Sequence, residues 1–160
     1  MGDVVVIGVG NPDRGDDAVG PHVVAHLEGR VPPGVRLMRT SGSDPATMID
    51  AWRDADRAIL VDAMVSGARP GTVERFDVAE RPLPASVRLA STHALGAQTA
   101  VEMGRALGTL PASCTLYGVE SATFEHGAAM TPEVAAAAEA AGAAILEEIS
   151  QGVPAVPGRE

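Results

Sequence analysis

Apolar residues in this chain fall into two kinds of run, and their alternation lays out the fold. Val4-Val5-Val6-Ile7 is an unbroken β-branched stretch ending at Gly8, the pattern of a strand covered on both faces. From Asp17 onward the spacing changes: Val19, Val23, Val24 and Leu27 recur at helical intervals, and Pro32-Pro33 stops the helix. Residues 35–38 predict a second short strand. Asp44 and Pro45 then supply an N-cap and a first helical position. Residues 58–61 read as a third buried strand, ending at Asp62. The segment 66–71 is too short for a crossover helix, so 72–76 is expected to return antiparallel along an edge.

Leu95, Gln98, Thr99, Glu102 and Met103 fit a helix that starts just after His93, and residues 115–119 form a further strand. Thr131-Pro132 opens the last helix, with Val134, Ala138, Ala141, Ile145 and Ile149 on its buried face. Strands alternating with helices define the α/β class: a three-layer α/β/α sandwich around a mostly parallel sheet of about five strands, with one antiparallel edge strand. One domain over residues 1–150 is expected, followed by a frayed tail over 151–160.

Composition narrows the picture. A chain of 160 residues, 46% hydrophobic and 21% charged, has the size and usage of one globular core. Aromatics are only 2%, so that core must be built from Val, Leu, Ile, Ala and Met. The formal charge of −9, with 12 scattered Lys and Arg, argues against nucleic acid as a partner. Cys114 has no partner for an internal disulfide, which points to a reducing, cytoplasmic location. No apolar run reaches the roughly 18 residues of a membrane span, so no membrane partner is expected.

In sheets of this kind ligands bind beyond the carboxyl ends of the strands. The first strand leads into Gly8-Val9-Gly10-Asn11-Pro12-Asp13-Arg14-Gly15-Asp16-Asp17. This begins like a dinucleotide fingerprint, but Asp13 stands where the last glycine belongs, and a pyrophosphate would meet three carboxylates. Carboxylates at strand ends suit a cation instead. Asp17 and Asp62 offer hard oxygen ligands and His93 an imidazole, a set that fits Ni, Zn, Fe or Mn better than Cu(I) or Ca. Three protein ligands leave a position open for a carbonyl or a water molecule. Asp16, next to a ligand, is a candidate for orienting water or supporting the ligand shell.

Each of these residues also has a simpler reading. Asp16 and Asp17 stand where an acidic cap would stabilise the first helix by about 1 kcal/mol. Asp62 fits a turn residue bonded to backbone amides, and His93 fits an ordinary first-turn residue. His22 and His26 lie four apart on one helix but lack a third ligand, which reads as solvated surface. Cys114 has no candidate base, and Ser41, Ser43 and Ser66 lie in no nucleophile elbow, so nucleophilic catalysis is unsupported. Glu125 and His126 fall in a loop and take no role.

Taken in order, these segments resemble a known family. Ile7-Gly8-Val9-Gly10-Asn11 through Gly15-Asp16-Asp17-Ala18-Val19-Gly20 is similar to the opening signature of the maturation proteases of nickel-iron hydrogenases. Val61-Asp62-Ala63 with Gly71-Thr72-Val73 resembles their third strand and return strand. Thr92-His93-Ala94-Leu95-Gly96 resembles their histidine loop, and Tyr117-Gly118-Val119-Glu120 with Met130-Thr131-Pro132-Glu133-Val134 their final strand, loop and helix.

The resemblance implies an endopeptidase that removes the C-terminal extension of a hydrogenase large-subunit precursor after nickel insertion. It implies Asp17, Asp62 and His93 as the metal site, with nickel carried by the substrate and zinc or another divalent ion able to occupy the same place. Asp16 joins those three as a catalytic candidate, and Gly10, Asn11 and Gly42 fall in the substrate loops. Two other expectations stand beside this one: a non-catalytic chaperone that senses the metallated subunit, and a peptidase of the same fold acting on another precursor. In relatives an acid often ends the second strand, where this chain has Arg39 and Thr40.

Overall fold

A computed structural model of the chain describes residues 3–90 and 96–151. Its centre is a sheet in the order β2-β1-β3-β6-β4. Here β1 is Val4–Val9, β2 Val35–Thr40, β3 Arg57–Val65, β4 Val73–Asp77 and β6 Ser113–Glu120. Strands β2, β1, β3 and β6 run parallel, and β4 closes one edge antiparallel to β6, as the short connection before it requires. The sheet has six strands rather than five: β5, only Arg88–Leu89, pairs antiparallel with Met64 and Val65 at the far end of β3. Two residues carry no period, so nothing in the hydrophobic pattern marks them.

Helices α1 (Val19–Leu27) and α4 (Pro132–Gln151) cover one face, and α2 (Pro45–Trp52) and α3 (Ala97–Leu107) the other. Strand alternation divides the core between them. Ile59, Val61 and Ala63 of β3 pack toward α1 and α4, whereas Ala58, Leu60 and Met64 pack toward α2 and α3 around the fully buried Trp52. Strand β1 and the 58–61 stretch of β3, covered on both faces, are unbroken and apolar, whereas β6 is as deeply buried but carries Thr115, Tyr117 and Glu120. Asp44 caps α2 as expected, its carboxylate accepting the Ala46 amide at 3.0 Å. Helix α3 first becomes helical at Ala97, after an extended Gly96, and so starts later than the pattern around His93 suggests. No helix among the described residues is long and apolar enough to cross a membrane.

Glycine decides how closely α1 seats on the sheet. A methyl group on Gly20 would fall well inside contact distance of the Val9 carbonyl oxygen and 2.6 Å from that of Val61. A methyl group on Gly8 would strike the Gly20 carbonyl and lie 2.8 Å from a Val24 methyl. The helix therefore rests on bare backbone at the ends of β1 and β3.

On the same face, a buried ionic network fastens α4. Glu148 accepts from the Tyr117 hydroxyl at 2.5 Å and from Arg75 Nε at 2.8 Å, with Arg57 Nη2 at 3.7 Å in an ionic contact too long for a hydrogen bond. Burial alone would raise the Glu148 pKa, but Arg75, Tyr117 and Arg57 together hold it below the ordinary value. The same network pushes the Tyr117 hydroxyl pKa up, burial first and the Glu148 carboxylate second.

Two expectations follow. Gly20→Ala gains roughly 1 kcal/mol of helix propensity yet should lose at least about 2 kcal/mol net from the clash with two carbonyls; a urea midpoint unchanged from wild type would mean the contact is slack. Glu148→Gln should cost roughly 3 kcal/mol near neutrality, because it strands buried guanidinium charge. Glu148 has a depressed folded-state pKa, so its contribution is present above the unfolded value and fades as pH falls through the folded one. The difference between variant and wild type should therefore shrink below about pH 4, and a gap constant down to pH 2 would contradict the pairing.

Candidate active site at the carboxyl rim of the sheet

Strand β1 is the point where the chain reverses its direction of winding: α1 leads off one face to β2, and α2 leads off the other to β3. The crevice at such a point is where sheets of this class bind ligands. Asp17 lies in the turn that follows the loop after β1, and Asp62 lies in β3, the strand paired with β1. Asp62 is not at the strand end, as its pattern suggests, but inside β3, one residue past the Gly8–Val61 pairing and opposite Gly118 of β6. It stands where β1 is about to run out, and it is fully buried. The glycine opposite makes room for Met64: a methyl group on Gly118 would lie 2.5 Å from the Met64 sulfur.

The first loop is a compact knot around Asn11. Asn11 Oδ1 accepts the Asp13 amide at 2.9 Å, and its carbonyl accepts the Arg14 amide. Gly10 has φ of +145°, and a methyl group there would collide with the Asp17 carbonyl, so only glycine permits the turn. Residues Gly15–Ala18 form one 3-10 turn, and α1 begins after it at Val19. Neither Asp16 nor Asp17 caps α1, which has no side-chain cap.

The two neighbouring acids instead point to different surroundings. Asp16 is 0% exposed and accepts four hydrogen bonds: the amides of Ala122 at 2.9 Å, Thr123 at 3.1 Å and Thr131 at 2.7 Å, and the Thr131 hydroxyl at 2.9 Å. Burial pushes its pKa up, but those donors outweigh burial and hold it below the ordinary value. A carboxylate offers about four acceptor positions, and all of them face the loop that leads into α4. Of the two tasks expected for Asp16, orienting water or supporting the neighbouring ligand, these bonds suit the supporting one.

Asp17, 3% exposed, is only half served. Its Oδ2 accepts the Asn11 amide at 3.0 Å and lies 3.4 Å from Arg14 Nη1, while its buried Oδ1 has no hydrogen-bond partner among the described residues. Burial dominates and raises its pKa, with Asn11 and Arg14 pulling the other way. A buried carboxylate oxygen with no donor among the described residues is a natural place for a cation. His93, the expected third ligand, lies outside the described residues, and among the described residues no group of three His, Cys, Asp or Glu side chains could hold an ion.

The remaining candidates separate cleanly. His22, Glu125 and His126 are exposed, and His26 is half-buried beside Arg30. Cys114 is buried in β6, and burial pushes its thiol up to about 12, so it is inert. Arg39 pairs with Glu28 at 2.6 Å beside an open groove of about 460 Å³, which Pro12, Ala18, Pro21, His22 and Ala25 also line. Gly42, in the loop after β2, has φ of +79° and donates its amide to Thr40 Oγ1. Arg14 is the site residue that the sequence pattern missed. The only signal for it was its position three residues before Asp17 in a loop.

Comparison with known proteins agrees with this architecture. The family model described as hydrogenase maturation protease matches residues 21–148. The hydrogenase 2 maturation protease of Escherichia coli K12 is 31% identical over 158 residues, covering 96% of this chain and 95% of its own. The structure of the E. coli hydrogenase maturating endopeptidase HybD superposes with a TM-score of 0.77 at 28% identity, covering 93% of each chain. A maturation protease HybD from Thermococcus kodakarensis, at 22% identity and a TM-score of 0.73 over 91% of this chain and 97% of its own, shares the fold. With this sheet, this rim and these relatives, the chain belongs to the hydrogenase maturation protease family.

Proposed function

We propose that this protein is an endopeptidase that removes the C-terminal extension of a nickel-iron hydrogenase large-subunit precursor once nickel has been inserted. The observation that carries the reading is Asp17, a buried carboxylate at the rim of the sheet with one oxygen that has no hydrogen-bond partner among the described residues. Family membership supports the peptidase class, and the chemistry of the donor set supports a metal-bearing substrate. Asp17 and Asp62, with His93, hold the nickel that arrives with the precursor; zinc or another divalent ion fits the same oxygen and nitrogen donors. Binding that ion fixes the precursor so that its scissile peptide lies over the rim. The groove lined by Pro12 and Arg39 receives the extended chain, and Gly10, Asn11 and Gly42 meet it from the loops that follow β1 and β2. Water adds to the carbonyl carbon, the carbon–nitrogen bond breaks and the leaving amine takes a proton. Such a reaction belongs in the cytoplasm, where the subunit is assembled.

The direct test is to incubate the protein with nickel-loaded precursor and weigh the product. Loss of a short C-terminal peptide is expected; precursor mass unchanged across several nickel-loaded candidates would remove the proposal.

The two adjacent acids give a second test. In Asp17→Asn, the Asn11 amide keeps its acceptor and the unserved buried charge disappears. A raised folded-state pKa means that ionisation at neutral pH works against the fold, so this variant should match or exceed wild-type stability by about 0.5–1 kcal/mol while cleaving nothing. Asp16→Asn turns an amide group toward donors and should lose roughly 2–4 kcal/mol. Urea unfolding beside the cleavage assay reads both, and the reverse order of stabilities would refute the assignment.

A further inference from the structure

Arg14 is held unequally at its two ends. Its Nε donates to the Phe124 carbonyl at 2.9 Å, and its guanidinium lies 5.7 Å from the centre of the Phe124 ring, within cation–π range. At the other end Nη1 meets Asp17 Oδ2 at 3.4 Å, longer than the roughly 2.7–2.9 Å of a strong charge-assisted bond. The Arg14 side chain is 27% exposed and that of Asp17 5%, so the guanidinium has a way out to water and the carboxylate has none. Short at the loop and long at the acid, the arrangement is a cation on a tether.

We propose that Arg14 is a resident counter-ion of Asp17 that an incoming divalent cation must displace, and that it sets the affinity of the rim for metal. This rests on Asp17 being a cation ligand, as argued above. A divalent ion bound at Asp17 Oδ1 would lie a few ångströms from the guanidinium, and the two repel strongly in a poorly solvated place. Swinging outward about its Phe124 anchor relieves that repulsion at the loss of one long ionic contact. The exchange lowers affinity for any free ion. A free ion then has little hold on the rim, whereas one presented inside a protein substrate brings the substrate's own contacts with it. Arg14 thus favours metallated precursor over loose metal.

The experiment is calorimetric titration of the purified protein with zinc chloride, for wild type, Arg14→Gln, Arg14→Lys and Asp17→Asn. Arg14→Gln should bind zinc at least roughly fivefold more tightly, Arg14→Lys within about twofold of wild type because the charge remains, and Asp17→Asn far more weakly than wild type. Equal or weaker zinc binding by a folded Arg14→Gln protein overturns the proposal, as does the absence of zinc binding in every form. If Arg14→Gln does not fold, the wild-type protein suffices: on adding zinc, the Arg14 side-chain nitrogen resonances should move in step with the Asn11 amide, and a static Arg14 beside a moving Asn11 overturns the proposal. Cleavage of nickel-loaded precursor is scored separately. Unchanged zinc affinity with cleavage intact sinks the counter-ion and leaves the peptidase standing; tighter zinc binding in Arg14→Gln, with no cleavage by wild type, does the opposite.

Discussion

Helix α1 meets the sheet through backbone, and that contact fixes the position of everything at the rim. Gly8 and Gly20 together remove the side chains that would otherwise hold a helix some 10 Å from a sheet, so the first turn of α1 drops onto the carbonyls of Val9 and Val61. The loop before the helix has to fold tightly to reach that point, which is why Gly10 and Asn11 sit where they do. Asp17, one turn ahead of Gly20, is carried over the end of β1, next to the strand that holds Asp62. One close approach between two backbone segments thus sets Asp17 beside the end of β1, the strand that pairs with the one carrying Asp62, 45 positions further along the chain.

Consecutive residues then do opposite things. Asp16 spends its whole hydrogen-bonding capacity on the 122–131 segment, where the neighbouring backbone adds more: Gly15 donates to Ala128, Asp16 to Thr123 and Gly127 to Asp13. The two loops are zipped into one body, and the entry to α4 is part of it through Thr131. Because Asp16 is immobile, Asp17 is aimed. The neighbouring environments push the two pKa values apart, down at Asp16 where four donors outweigh burial and up at Asp17 where burial prevails.

Much of this was legible in the chain. The parallel strands announced themselves because burial on both faces demands unbroken apolar runs, and the antiparallel return of β4 followed from a connection too short to cross over. The cap at Asp44 and the helix start at Pro132 obeyed local rules. What escaped was everything decided by distant segments. The extent of β3 past Asp62 depends on β6 and β5 for partners, and β5 is too short for any period. The task of Asp16 depends on amides more than 100 residues away, which no local pattern encodes. For the same reason the helix-cap reading of the two acids failed: it assumed the nearest free amides would claim them, whereas the 3-10 turn points one acid at the far loop and the other at the rim.

The network around Glu148 shows what this fold does with a buried carboxylate when stability is the only concern. There Arg75, Tyr117 and Arg57 surround the acid, and its pKa falls despite burial. Asp16 is treated the same way with amides and a hydroxyl in place of cations. Asp17 is equally buried, yet its Oδ1 has no hydrogen-bond partner among the described residues and its one cation, Arg14, stands 3.4 Å from the other oxygen. Burying charge without completing its shell costs stability. Glu148 Oε2 and Asp17 Oδ1 both lack a hydrogen-bond partner among the described residues, but Glu148 is offset by two guanidinium groups and a hydroxyl, whereas Asp17 has one amide and one long ionic contact, and only at Asp17 does burial prevail and raise the pKa.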